Sequence, residues 1–208
     1  MKKLFIVGAG GFGRELAAWI NDLPPSDRGW VWQGFLDDNV EALKPFGGFA
    51  SVAPLATHRV SGDNVYLCGI GSPVIKKKLV EPLLKQGALF TNFIHPRATV
   101  GERVKLGQGV VICPECVLSC DIELGDFTMV NLRSTIGHDV KVGPWSTLSA
   151  QCDLTGGVEL GTSVFLGSRV SIIPGKKVGD GATVGAGSTV MTNVPPHVTA
   201  VGNPARVL

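Results

Sequence analysis

The sequence predicts two domains of different build: a small parallel α/β domain over residues 1–94, then a β-helix of stacked six-residue units over residues 95–208, capped from about 191 to 208. Three observations carry this. From Val100 to Val190 every sixth residue is aliphatic, sixteen in succession without a miss (Val100, Leu106, Ile112, Leu118 and onward). The residue after each is usually minimal, as at Gly101, Gly107, Gly125 and Gly137, and the residue two before is small or β-branched, as at Val104, Val110, Cys116 and Thr128. Ahead of the repeat, apolar runs alternate with helical spacing and are punctuated by glycine. A step of six turns an α-helix by about two-thirds of a revolution, which would scatter these aliphatics over every face. Short strands joined at regular bends keep them on one side, and such units bury the apolar row only by stacking on one another. The glycines that fall in register read as corner residues.

The elements follow in order. Leu4-Phe5-Ile6-Val7 reads as a buried strand, followed at once by Gly8-Ala9-Gly10-Gly11-Phe12-Gly13. Arg14 to Asn21 has helical spacing of its apolar residues. A second strand ends at Phe35-Leu36, before Asp37-Asp38, and a third, Val65 to Cys68, runs into Gly69-Ile70-Gly71-Ser72. Pro73 to Gln86 forms an amphipathic helix that Pro82 is expected to kink or end, with Lys76-Lys77-Lys78 on its polar side. Leu89 to Ile94 reads as a fourth strand feeding the repeat, while residues 39–63 carry too much Pro and Gly to assign. Strands alternating with helices imply a parallel sheet.

Gly8, Gly10 and Gly13 match the GxGxxG pattern, in which glycines at a strand-to-helix turn admit a phosphate to the helix N-terminus. Asp37 and Asp38 are placed to accept hydrogen bonds from a ribose or a base. A nucleotide-dependent oxidoreductase is the alternative from another class, but a dinucleotide needs two such halves and about ninety residues hold one. A net charge of +2, on nineteen basic and seventeen acidic residues with no basic block, argues against nucleic-acid binding. No apolar stretch is long enough to span a bilayer, and five cysteines read as free thiols of a cytoplasmic protein. Cys113, Cys116 and Cys120 have a spacing that suggests a metal site, but Cys116 and Cys152 share the small-residue slot of the repeat and fit better as packed thiols.

Taken whole, the chain resembles the NeuD/PglD-type sugar acetyltransferases. The resemblance rests on the GAGGFGRE opening, Leu36-Asp37-Asp38, Phe93-Ile94-His95-Pro96, the segment 131–139 (NLRSTIGHD) and Gly202-Asn203-Pro204-Ala205. It implies a left-handed parallel β-helix with three units per coil, so that residues eighteen apart stack; sixteen units then give five coils and part of a sixth, roughly 25 Å tall. It implies acetyl-CoA as co-substrate without a metal, a homotrimer with active sites between subunits, and a nucleotide-linked amino sugar or a sialic acid as acceptor. The nucleotide would lie on Gly8, Gly10, Gly11, Gly13, Asp37, Asp38, Gly69, Gly71 and Ser72.

Two residues after the inward Ile136, His138 is expected to project from the wall beside Asp139, with Asn131 earlier in the coil. The resemblance makes His138 the general base, Asp139 its orienting carboxylate, and the Gly156 N–H, one coil on, the oxyanion donor. Without it, His138 would read as a surface histidine paired with its neighbour. Gly156, Gly167, Ser168 and Ala186 are the expected backbone contacts to CoA, and Arg169, Lys176, Lys177 and Arg206 are cations for its phosphates. Thr147 stands where a second histidine is often found, which leaves amine and hydroxyl acceptors both open. Two further classes compete. A zinc hydrolyase on a β-helix needs three imidazoles, whereas the repeat offers His138 with His95 just before it. A non-catalytic scaffold predicts no thiol release from acetyl-CoA.

Overall fold

In the computed structural model residues 1–24, 26 and 28–208 are described, and they form two compact units, Met1–Asn92 and Phe93–Leu208. The first unit is built on Lys2–Val7 (β1), whose Leu4, Ile6 and Val7 have no exposed surface. Trp30–Leu36 (β2), Val52–Ala53 (β3) and Asn64–Cys68 (β4) complete a parallel sheet in the order β3-β2-β1-β4. β4 is buried at every position, as a strand covered on both faces should be. Gly11–Trp19 (α1) leaves β1, and Pro73–Lys85 (α2) leaves β4.

Two expectations change here. α2 runs three residues past Pro82, because that proline forfeits one helical hydrogen bond and the remaining turns hold. The fourth strand is split: Phe90 bridges Tyr66 in the first unit, whereas Phe93–Ile94 pairs with Val111–Ile112 in the second.

The second unit is a left-handed β-helix of three parallel sheets. The first face runs from Phe93–Ile94 to Thr199–Gly202 and is closed by an antiparallel edge strand, Ala205–Val207. The second runs from Thr99–Val100 to Thr189–Val190, and the third from Lys105–Leu106 to Lys177–Val178. Partners are eighteen residues apart from Phe93 to Val190, as in Met129↔Thr147, Thr135↔Asp153 and Lys141↔Glu159, and sixteen apart at the last parallel step, Thr183↔Thr199. From Ile112 to Val190 every sixth-residue aliphatic is buried, each contributing about 1.5–3 kcal/mol. The outward row of the third face alternates in sign, Lys105, Glu123, Lys141, Glu159, Lys177, with ion pairs Lys105–Glu123 at 3.2 Å and Lys177–Glu159 at 2.8 Å.

The corners differ from the sequence reading. The left-handed residue of each bend stands three places after the aliphatic, and it is often not glycine: Arg103, Asp121, Phe127, Asp139 and Trp145 all have φ between 56° and 66°. The glycine directly after the aliphatic answers to a different demand. A β-carbon on Gly137 would lie 2.8 Å from Gly156 N, and one on Gly167 would lie 2.6 Å from Ala186 N. Those glycines let successive coils approach.

Candidate active site

The bends divide the β-helix into three corner columns. The second column, following the second face, carries His138 and Asp139 on one coil and Gly156 on the next. His138 is exposed, and its Nδ1 lies 2.7 Å from Asp139 Oδ2. The left-handed backbone at Asp139 (φ 60°) is one that aspartate tolerates better than most residues. A hydrogen bond at Nδ1 fixes the ring and leaves Nε2 to meet a ligand.

Gly156 lies against that ring, since a β-carbon there would fall 2.6 Å from Cε1 and Nε2. The Thr155 and Gly157 N–H groups are spent on the coil ladder, donating to Ile172 and His138 carbonyls. Among the described residues no hydrogen bond engages the Gly156 N–H. At the same place in other bends, the N–H of Gln108 and of Thr162 is taken by the aspartate eighteen residues on, Asp126 or Asp180. Eighteen residues beyond Gly156 stands Pro174, which has no such side chain. One column thus presents an imidazole and an uncommitted backbone donor together.

Asn131, Gly167, Ser168 and Ala186 belong to the first column instead, following the first face. Asn131 Oδ1 accepts from Leu132 N at 2.7 Å, and Ser168 is exposed. Six residues separate the two columns along a coil, at most about 20 Å of chain. The two sets of residues therefore follow strands of different faces and stand at different corners of the coil. Among the cations, Lys177 is held by Glu159, whereas Arg169 donates to Gln151 Oε1 at 2.9 Å and Arg206 to its neighbour's carbonyl at 3.1 Å. Lys176, in an otherwise inward slot, stays half-exposed, and Thr147 is buried. Cys116 and Cys152 lie inside the coils, where burial pushes their thiols up to about 11 and about 12.

The first unit holds a cleft of about 380 Å3 between its glycine loops. Gly8, Gly10, Gly11, Asp37, Asp38, Gly69 and Gly71 line it. Gly13 and Ser72 do not: Gly13 is buried under the loop, and Ser72 caps α2 by accepting from Ile75 N at 3.4 Å. Gly8, Gly13 and Gly69 serve close packing, since a β-carbon on Gly69 would meet Gly13 Cα at 2.7 Å. Gly10 has open space, and with no side-chain cap on α1 the first-turn N–H groups face it unclaimed.

Asp37 braces this loop, accepting from Ala9 N at 2.8 Å and Asn39 N at 2.9 Å. Asp38 spends only Oδ1, on Ala56 N at 2.7 Å. Sequence reasoning missed the apolar walls, Phe12, Leu36, Leu55, Ile70, Ile75 and Leu79. Ile75 and Leu79 were within reach as an i, i+4 pair on α2; Leu55 comes from a stretch with no periodicity.

Comparison with known proteins bears on both units. Residues 3–83 match the PglD N-terminal domain. The chain is 28% identical over 128 residues to a GDP-perosamine N-acetyltransferase of Escherichia coli O157:H7 and 30% identical over 115 residues to a UDP-N-acetylbacillosamine N-acetyltransferase of Bacillus subtilis. These stretches cover 61% and 54% of this chain, and 58% and 51% of the relatives, so the match spans little more than half of each. The crystal structure of PerB from Caulobacter crescentus, in complex with CoA and GDP-perosamine, superimposes with a TM-score of 0.88 at 28% identity, covering 100% of this chain and 98% of that one. A stacked hexapeptide wall headed by a glycine-loop domain defines the class of β-helix acyltransferases. Within that class, residues 3–83 match the PglD N-terminal domain and the whole chain superimposes on PerB.

Proposed function

We propose that the protein transfers the acetyl group of acetyl-CoA to the amine of a nucleotide-linked sugar in surface-glycan assembly. The observation that carries this is His138, exposed at a corner with Nδ1 tied to Asp139 and its ring against the bare Cα of Gly156, whose N–H is uncommitted. The two curated relatives are both N-acetyltransferases of nucleotide sugars, which favours an amine over a hydroxyl acceptor. The amine nitrogen attacks the thioester carbonyl as His138 Nε2 takes its proton. The oxyanion forms at the Gly156 N–H, and collapse expels the CoA thiolate, which recovers the proton from the imidazolium. The cleft of the first unit takes the nucleotide, with phosphates at the α1 N-terminus and Asp38 at the ribose or base.

The assignment of Asn131, Gly167, Ser168 and Ala186 to one column and His138, Asp139 and Gly156 to another supports a homotrimer. In it the second column of one subunit faces the first column of the next, with CoA between them and its phosphates on Arg169, Lys176 or Arg206. Acetyl-CoA supply and five free thiols fit a cytoplasmic setting. An oxidoreductase reading has no second nucleotide-binding half among the described residues, where the sheet has four strands.

The test is thiol release from acetyl-CoA over a panel of nucleotide amino sugars and free sialic acids. Release with an amino sugar, lowered about 10²–10⁴-fold in His138→Asn while CoA binding persists, is the expected result. Release only with hydroxyl acceptors would move the reading to O-acetylation, and none with any acceptor would favour a scaffold.

A further inference from the structure

The second column continues below the dyad. Glu102, Cys120, His138 and Gly156 stand at equivalent places on successive coils, and beside them stand Arg103, Asp121, Asp139 and Gly157, with φ from 56° to 70°. Asp139 N–H donates to the Cys120 carbonyl at 3.3 Å, and Asp121 N–H donates to that of Glu102 at 3.1 Å. The backbone of Asp121 is therefore one strand spacing, about 4.8 Å, beneath that of Asp139. Arg103 forks onto it, Nε to Oδ1 at 2.6 Å and Nη2 to Oδ2 at 2.9 Å, while Nη1 reaches Glu102 at 2.9 Å. Arg103, Asp121 and Asp139 line one depression of about 380 Å3 together with Lys105, Glu123 and Lys141.

We infer that Arg103 is a positioning residue of the acyl-transfer site: by clamping Asp121 it neutralises a second carboxylate beneath His138 and leaves the histidine to Asp139. An exposed ion pair contributes little to stability, so the fold alone gives the fork no evident task. Its charge has one. A general base must be neutral to accept a proton, and every uncompensated anion nearby holds the imidazolium protonated to higher pH. The charged neighbours of His138 are few. Asp139 touches it; Asp121, with the Cys120 thiol, comes from the coil below, and Glu102 and Arg103 from two coils below. Glu123 and Lys141 lie on the third-face strands, and Asp153 on the second face accepts from Thr135 Oγ1. The coil above presents Thr155, Gly156 and Gly157, without charge. The Arg103 fork holds the Asp121 carboxyl down to about 2, so Asp121 is an anion at every working pH. Without Arg103, that anion acts on His138 directly.

The inference rests on the general-base reading for its kinetic consequence but not for its physical one, and the experiment separates the two. Ring resonances of His138, assigned by comparison with His138→Asn, are titrated by NMR in the full chain and in Arg103→Gln, Arg103→Lys, Asp121→Asn and Arg103→Gln/Asp121→Asn. Arg103→Gln is expected to raise the His138 midpoint by about 0.3–0.5 pH unit, the reach of one exposed charge at this range, with Arg103→Lys close to wild type. Asp121→Asn is expected to lower the midpoint and the double variant to restore it; high salt shrinks each shift. The acid limb of kcat/KM should follow. An unmoved midpoint in folded Arg103→Gln overturns the inference, and should that variant fail to fold, an unmoved midpoint in Asp121→Asn does so. Midpoints that move while the acid limb stays fixed uphold the inference and overturn the general-base reading instead.

Discussion

Gly156 meets two demands at once: its N–H is left out of the ladder, and its bare Cα makes room for the imidazole. A methyl group there would fall 2.6 Å from Cε1 and Nε2 of His138 and would push the ring aside while keeping the N–H. Gly156→Ala is therefore expected to lower kcat by about 10²-fold, the usual cost of displacing a reacting group by an ångström, with CoA affinity unchanged by calorimetry. Equal losses in kcat and CoA affinity would show that the glycine serves binding. The acidic pair separates in the same manner. Asp38→Ala removes an acceptor with one oxygen to spare and costs one backbone N–H its partner, so it is expected to weaken nucleotide binding about tenfold or more with a smaller fall in Tm than Asp37→Ala. Asp37→Ala strips Ala9 and Asn39 N–H groups of their acceptor, so it should lower both affinity and Tm.

At the scale of an element, α2 carries a consequence that its lysine run conceals. Lys76-Lys77-Lys78 invited a polar-face reading, yet three consecutive helical residues span about 200° of the helix circumference and cannot share one side. Lys76 turns inward and is 2% exposed. Burial pushes its ammonium down to about 8. The folded value lies below the unfolded one, so below pH 8 the lysine is charged in both states and the fold bears the full burial penalty. Between about pH 8 and 10.5 the unfolded chain binds the extra proton, and stability rises with pH by roughly 3 kcal/mol. Cys68, pushed up to about 11, acts in the opposite sense from about pH 9 upward. Denaturant midpoints at pH 7, 8.5 and 10 should accordingly climb for wild type relative to Lys76→Met, and a constant difference would refute the buried-amine account.

The same scale shows how much was readable from sequence. The aliphatic period was legible because every coil must bury one side chain at a fixed step, and the glycine-loop turn because strand, glycines and helix stand adjacent in the chain. The left-handed bend residues were not, since Arg103, Phe127 and Trp145 bear no mark of their φ, and the glycine rows answer to a coil eighteen residues away. Leu55, a wall of the cleft in the first unit, comes from a segment whose position is set by Asp37, Asp38 and their backbone partners rather than by any apolar rhythm.

For the whole molecule, the deciding fact is that the residues assigned to one reaction stand on two columns. His138 with Gly156 and Ser168 with Ala186 are a face apart, and the third face bears alternating charge along its whole outward row, a surface suited to solvent. If a site forms where the second column of one subunit meets the first column of the next, each protomer contributes half of two sites. His138→Ala and Ser168→Trp then damage different halves. Each variant alone should be inactive, Ser168→Trp because the indole fills the CoA groove. Unfolded together and refolded at equal ratio, they should recover about a quarter of wild-type activity, because three in four random trimers are mixed and each mixed trimer holds one intact site in three. Sedimentation must show trimers in the mixture. Recovery near zero in well-formed mixed trimers would mean that one chain holds its whole site, and the separation of the columns would then need a different explanation.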